Sequence, residues 1–260
     1  MFPAPTRDAP AVPGVPWIAT WSRERKSTSL LESRPPGGLR YFNEGPDDRD
    51  NLGALWARKS QRIGQGDPEL AGIHPRRQRR AMEELLCQVC GLAADVSDLG
   101  VLWMEPITPG DALSAFSTHP PVCVPCAVES RGWCPRIRRT GAHIFRVANP
   151  WASGVFGTFY YPRLDGTLVV EEPMEKRYDD GEIRWVLAQQ MVMRLDGLTM
   201  VDLDDEYARY LATNPNSRAA SIRSAAGPGR CPRQTSQASL ERRARAAGRG
   251  QLASDTHAAP

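Results

Sequence analysis

The chain has little lysine, little histidine and no long apolar run. Only Lys26, Lys59 and Lys176 stand beside 30 arginines. No window of roughly 18 consecutive apolar residues occurs, which excludes a helical membrane span. The first residues, Met1-Phe-Pro-Ala-Pro-Thr-Arg-Asp8, lack a basic segment followed by an apolar one. No secretory leader is therefore expected, and the chain is assigned to the cytoplasm. There is no Walker-type phosphate loop, no dinucleotide fingerprint and no Gly-x-Ser-x-Gly elbow, so the common nucleotide-binding and serine-hydrolase motifs are excluded. The four histidines form no His-His or Asp-His pair. No internal repeat is visible.

What is present supports a core over part of the length. Hydrophobic residues make up 41% of the 260 and aromatics 7%, enough for one large domain or two small ones. The net charge of +3 is unevenly placed. From Asn214 to Pro260 eight arginines face only Glu241 and Asp255, a net of +6, leaving −3 for the rest. The arginine excess, with abundant Ala, Gly and Pro, is the mark of a GC-rich coding sequence. It weakens arginine runs as evidence of phosphate binding.

Two cysteine pairs stand out, Cys87-Gln-Val-Cys90 and Cys123-Val-Pro-Cys126. Two residues between cysteines let both sulfurs reach one tetrahedral ion from a tight turn. Gly91 follows Cys90 and can take the positive φ that closes such a knuckle. The 32 residues from Gly91 to Val122 exceed a usual zinc-finger gap and leave room for a hairpin. Gly100-Val-Leu-Trp-Met-Glu105 reads as one of its strands. Ala127 to Gly132 can open a helix after the second pair. Knuckle, hairpin and knuckle at a helix start make a treble-clef-like arrangement. The reading assigns Cys87, Cys90, Cys123 and Cys126 to one structural zinc ion per chain. Redox CxxC chemistry needs a βαβ setting that only the second pair approaches. A disulfide framework suits small secreted domains. An iron–sulfur cluster would use the same four thiolates. Cys134, about 12 Å beyond Cys126 if the interval is helical, reads as a small buried residue before Pro135, His119 as a loop histidine that could otherwise replace a thiolate, and Cys231 as a spare thiol.

Along the chain, residues 1–16 are proline-rich and read as disordered. Residues 17–213 read as a single α+β zinc-binding domain with its knuckles within 74–140, and 214–260 as a disordered basic tail. Trp17–Trp21, Leu39–Phe42 and Gly53–Arg58 read as strands. Arg76 to Leu86 reads as a helix, with Pro75 in its first turn. Ala142–Val147, Val155–Tyr161 and Thr167–Glu171 read as three further strands of a small antiparallel sheet, the last two joined through Asp165-Gly166. Ile183, Val186, Leu187, Gln190, Met191 and Arg194 follow a 3.6-residue period. They predict an amphipathic C-terminal helix from Glu182 to Leu195, closed by Gly197. Asp202 to Leu211 reads as a final acidic helix. The seven tryptophans read as core.

The stretches His74-Pro-Arg-Arg-Gln-Arg-Arg-Ala-Met82, Leu86-Cys-Gln-Val-Cys-Gly91, Gly100-Val-Leu-Trp103 and His119-Pro-Pro-Val-Cys-Val-Pro-Cys126, ending in Cys134-Pro135, resemble an uncharacterised family of actinobacterial proteins. A tryptophan-bearing helix near Trp185 and Leu195 also fits, so the resemblance covers roughly residues 15–205. It implies a zinc-knuckle protein of bacterial chromosomes and mobile elements, and no activity. A looser similarity is to HNH-type nucleases, which carry a CxxC knuckle pair around a treble clef. Those enzymes need a histidine base and a second metal-binding histidine or asparagine. Here His119 is the only histidine between the pairs, and His143 follows in a strand.

Two arginine groups flank the knuckles: Arg76, Arg77, Arg79 and Arg80 before the first, and Arg136, Arg138 and Arg139 after the second. If the metal joins the knuckles, both groups can share a face toward DNA or RNA, or toward an acidic protein. The alternative for each is a solvated helix face. Asp47, Asp48 and Asp50 have magnesium-ligand character but read as a turn-rich loop, and Asp202, Asp204, Asp205 and Glu206 as a helix start. The functional expectation is a non-enzymatic binding module. The alternatives are a divergent metal-dependent nuclease, with His119 or His143 as base and the Asp47 loop as metal ligand, and a protein–protein adaptor.

Overall fold

Two long antiparallel strands organise the molecule. In the computed structural model, which describes residues 14–33, 37–110 and 112–215, Ala142–Pro162 (β9) runs beside Val186–Met200 (β11) from Phe145↔Met200 to Phe159↔Val186. The elements before β9 are Ala19–Trp21 (β1), Leu31–Ser33 (β2), Leu39–Tyr41 (β3), Leu55–Trp56 (β4), Pro68–Ile73 (β5), helix Pro75–Glu83 (α1), Val96–Ser97 (β6), Gly100–Pro106 (β7), Phe116–Ser117 (β8), and helices Val124–Trp133 (α2) and Pro135–Thr140 (α3). Leu168–Arg177 (β10) and helix Leu203–Thr213 (α4) complete the set. The compact unit that contains them runs through Thr213. The expected disordered segments fall outside the described residues, apart from residues 14–16, Asn214 and Pro215.

The architecture is α+β. Its main sheet has seven strands, ordered β4-β11-β9-β7-β6, with β10 also on β9 and β8 also on β11. β7 and β10 share one side of β9, pairing with its first and second halves respectively. This is larger than the small sheet expected. It is also not wholly antiparallel, because β4 pairs with β11 in parallel through Leu187↔Leu55. Small pairs β1–β5 and β2–β3 stand apart from it.

The segment expected to be a helix from Glu182 to Leu195 is a short 3-10 turn, Gly181–Trp185, followed by β11. The error has a physical origin. Register shifts interrupt β11 between Ala188 and Gln190 and again between Val192 and Met193. At the first, Gln189 is an extra residue in β11; at the second, Ser153 is an extra residue in β9. The Gln189 bulge moves the inward face from Val186 and Ala188 to Met191, Met193 and Leu195, and Val192 is buried as well, so no continuous two-residue alternation is visible in the sequence. The strands expected over Ala142–Val147 and Val155–Tyr161 are likewise one continuous strand. The hairpin at Asp165-Gly166 forms as expected, with Asp165 Oδ1 accepting from the Thr167 N–H at 2.9 Å. The helices after the second cysteine pair and after Asp202 also form.

β7 is buried on both faces, and this divides the core. Val101 and Trp103 pack with Phe145, Val147, Met191 and Met82 of α1. Leu102 and Met104 point the other way, to Ile144, Cys87, Val122, Cys126 and Leu203 of α4. The cysteine pairs therefore sit under one face of the sheet. α1 is fixed to the opposite side by Gln78, fully buried. Its amide donates to the carbonyls of Thr118 and Met191 at 2.9 Å and accepts the Met191 N–H at 2.8 Å. On the cysteine side, Arg146 is fully buried. It donates to Asp95 and Glu206 at 2.5 Å and to the Gly100 carbonyl at 2.9 Å, which locks α4 to the sheet. Trp103 meets the expectation of a core tryptophan, whereas Trp133 and Trp151 are exposed. Among the described residues no helix is long and apolar enough to cross a membrane.

Candidate metal centre

α1 delivers the chain to the first cysteine pair through Leu85, which holds φ at +50°. That left-handed conformation is uncommon for a leucine and turns the backbone sharply out of the helix. The Cys87 N–H donates to the Leu92 carbonyl at 2.6 Å, and the Gly91 N–H donates back to Cys87 at 2.8 Å. Gly91 has φ +71°, as the knuckle reading required. A Cβ there would lie 2.8 Å from the Trp17 ring, so glycine is needed for both conformation and space. The segment before β1 clamps the turn, with Trp17 N–H on the Val89 carbonyl at 2.9 Å.

The second pair starts α2. Cys123 is its N-cap residue, in extended backbone, and Cys126 lies in its first turn. The positive end of the α2 dipole lies at this pair and favours negative charge there. The two pairs are tied by backbone rather than by side chains alone. The Gln88 N–H donates to the Pro121 carbonyl and its side chain to that of Pro120, both at 2.9 Å. The β6–β7 hairpin lies between them in sequence and holds Val122 through the Leu102 carbonyl at 3.0 Å.

The result is a group of four sulfurs, all within 4.8 Å of one another. Cys90 and Cys123 are 3.8 Å apart. Four sulfurs each about 2.3 Å from a tetrahedral ion are separated by about 3.8 Å. A disulfide would bring two of them to about 2.05 Å, and all five described cysteines are free thiols. A multi-iron cluster inserts its own irons and sulfides between the thiolates and spreads them further than this. The arrangement therefore fits a single metal ion held by Cys87, Cys90, Cys123 and Cys126.

The electrostatics agree. Hydrogen bonds from Cys123 and Cys126 pull the Cys90 thiol far below its ordinary range. Cys126 is pushed far above its own by its contacts with Cys123, Cys87 and Cys90. Four thiols this close cannot all ionise beside one another unless a cation compensates them. Cys87 is fully buried and Cys126 nearly so, which closes the group to solvent on that side.

Cys134 does not join. It is half-buried where α2 ends and α3 begins. His119 offers its backbone carbonyl to Trp103 Nε1 at 2.7 Å and is likewise no part of the group. Cys231 lies outside the described residues. Among the described residues, no other set of His, Cys, Asp or Glu ligands converges in this way. In the Asp47 loop, Asp48 is paired with Arg58 at 2.5 Å. Asp50 accepts from Trp56 Nε1 at 2.9 Å and Tyr178 Oη at 2.7 Å. That acidic loop is consumed by its own structure.

The arginine groups differ from expectation. Arg77 is buried, not surface-directed. It grips the buried Glu24 at 2.6 and 2.9 Å and the Ala19 carbonyl at 2.6 Å. A phosphate cannot reach it, because it anchors α1 to the β1 segment. Sequence reasoning missed this because the helix presents its 77, 78, 81 and 82 positions inward, and Arg77 with Gln78 disguises the apolar stripe. Arg79 pairs with Glu83 at 3.4 Å and lies over the Trp56 ring. Arg80 pairs with Glu84 at 3.0 Å, and the exposed Arg76 with Asp47 at 3.6 Å. By contrast Arg136, Arg138 and Arg139 are exposed on α3. Arg136 donates to Thr108 Oγ1 at 2.9 Å. None of the three has an ion pair among the described residues.

Comparison with protein-family models, with curated proteins and with solved structures finds no match.

Proposed function

We propose that the chain is a structural-zinc module that docks on a nucleic-acid backbone through the arginines of α3. The observation that carries this reading is the continuity from sulfur group to helix. Cys123 caps the start of α2, and Cys134 caps both its end and the start of α3. Ile137 of α3 packs against the same core that contains Cys87 and Cys126. Arg136, Arg138 and Arg139 face outward around that anchor. A tetrahedral, all-sulfur, closed site is the chemistry of structural zinc. The succession of knuckle, β6–β7 hairpin and α2 supports a treble-clef description of this region. Such an ion leaves no coordination position for a reacting group, so its role is to fix the angle at which α3 is presented.

The test is binding of a labelled duplex and of a single strand to wild type and to Arg136→Ala/Arg138→Ala/Arg139→Ala, over a range of salt. Each lost phosphate contact lowers the slope of log K against log salt by about 0.9 on a duplex. The triple variant is expected to keep its metal and lose up to about 3 in slope. Unchanged affinity and slope would refute the nucleic-acid part. Tight, salt-sensitive binding to an acidic polypeptide alone would transfer the surface to a protein partner.

A further inference from the structure

A cavity of about 250 Å³ opens on the molecule among Glu105, Phe116, Ser117, Thr118, His119, Glu175 and Val192. Its polar groups are incompletely used. The His119 imidazole makes no hydrogen bond among the described residues, although burial depresses its pKa and keeps it neutral. Glu175 is exposed and has no ion pair or hydrogen bond among the described residues. Glu105 accepts a short hydrogen bond from Ser117 Oγ, which in turn accepts the His119 N–H at 2.9 Å, but Glu105 has no cationic partner within ion-pair distance.

We infer that this cavity is a binding site for a cationic group on an alkyl stem, an ammonium or a guanidinium. Two carboxylates that converge on one opening without a cation form an uncompensated negative field. In a recess with low-dielectric walls that field is focused on the opening. A neutral imidazole adds an acceptor rather than a competing charge. Phe116 and Val192 supply apolar wall for the stem. The nearby cations are engaged elsewhere: Arg177, whose charge acts on Glu175, is paired with Asp179 at 3.0 Å. Arg194 lies over the Phe116 ring and is paired with Asp196 at 2.9 Å. Arg136 acts on His119 only through space and donates to Thr108 Oγ1. The site is separate from the four sulfurs, and its Glu105 wall comes from the β7 edge of the cavity.

The ligand can be a free amine or the side chain of a basic peptide, and the probes distinguish them. L-arginine amide, 1,5-diaminopentane and the neutral isostere citrulline amide are titrated into the full chain, with the His119 imidazole resonances followed by NMR. The cationic probes are expected to shift them saturably below about 20 mM, and citrulline amide is not. Preference for arginine amide assigns the site to a peptide guanidinium, and preference for the diamine to a free amine. Glu175→Gln, an exposed change with little effect on folding, is expected to weaken the cationic probes about fivefold or more. Equal shifts from arginine amide and citrulline amide, no saturation, or full affinity in Glu175→Gln would each overturn the assignment.

Discussion

Arg77→Ala separates an arginine that builds the fold from one that meets a partner. The Arg77 side chain is 4% exposed and Glu24 is fully buried. Truncation removes two charge-assisted bonds to Glu24 and one to the Ala19 carbonyl. Breaking a buried pair by deleting one partner typically costs about 3–5 kcal/mol, because the other charge stays buried. Here Glu24 keeps the N–H groups of Trp21 and Arg62, both at 3.0 Å. The lower end, about 3 kcal/mol, is therefore expected. With a urea m-value of about 3 kcal/mol/M, the midpoint falls by about 1 M. Tryptophan fluorescence during urea unfolding reads this, since Trp21 adjoins the pair. Arg76→Ala, at an exposed residue paired with Asp47 at 3.6 Å, is expected to change stability by less than about 0.5 kcal/mol. Equal stability in the two variants, with a selective loss of nucleic-acid affinity in Arg77→Ala, would refute the assignment of Arg77 to the core.

His74 gives a pH-dependent prediction. Burial, and then the Arg77 charge, lower its pKa from 6.5 to about 4. The unfolded chain therefore takes up a proton between those values that the native state refuses. Stability should fall as pH drops through this window, by up to about 3 kcal/mol. His74→Gln should flatten the profile between pH 6.5 and 5, and an unchanged slope would contradict the assignment. Gly100→Ala should prevent the β7–β9 pairing, since a Cβ would lie 2.0 Å from the Val147 carbonyl oxygen at a residue with φ +104°. A loss on the order of 3 kcal/mol or failure to fold is expected in thermal melts, and a near-wild-type midpoint would contradict the close packing of these strands.

The parts of this fold that the sequence makes legible are those governed by local chemistry. Gly91 announces its positive φ, Pro75 its place in the first turn of α1, and Asp165-Gly166 its hairpin. The two CxxC spacings bring their four sulfurs together as the spacing implies. The parts hidden from the sequence depend on distant partners. β11 reads as a helix because the bulge at Gln189 offsets the alternation, and only pairing with β9 reveals the strand. Arg77 reads as surface charge, yet it is buried against a carboxylate 53 residues away in sequence, and Arg146, inside a strand, is buried against one 60 residues away. The cavity beside His119 is drawn from β7, β8, β10 and β11, so no window of sequence contains it.

The central claim is that Cys87, Cys90, Cys123 and Cys126 hold one metal ion that organises the module. Native mass spectrometry of the purified chain, with elemental analysis and thiol titration on the same sample, tests it most directly. The account predicts one zinc per chain, protection of four thiols until the metal is removed, and loss of both metal and stability in Cys87→Ser, because structural zinc binding is coupled to folding. A folded, zinc-replete sample without bound metal, in which all four thiols titrate freely, would contradict it.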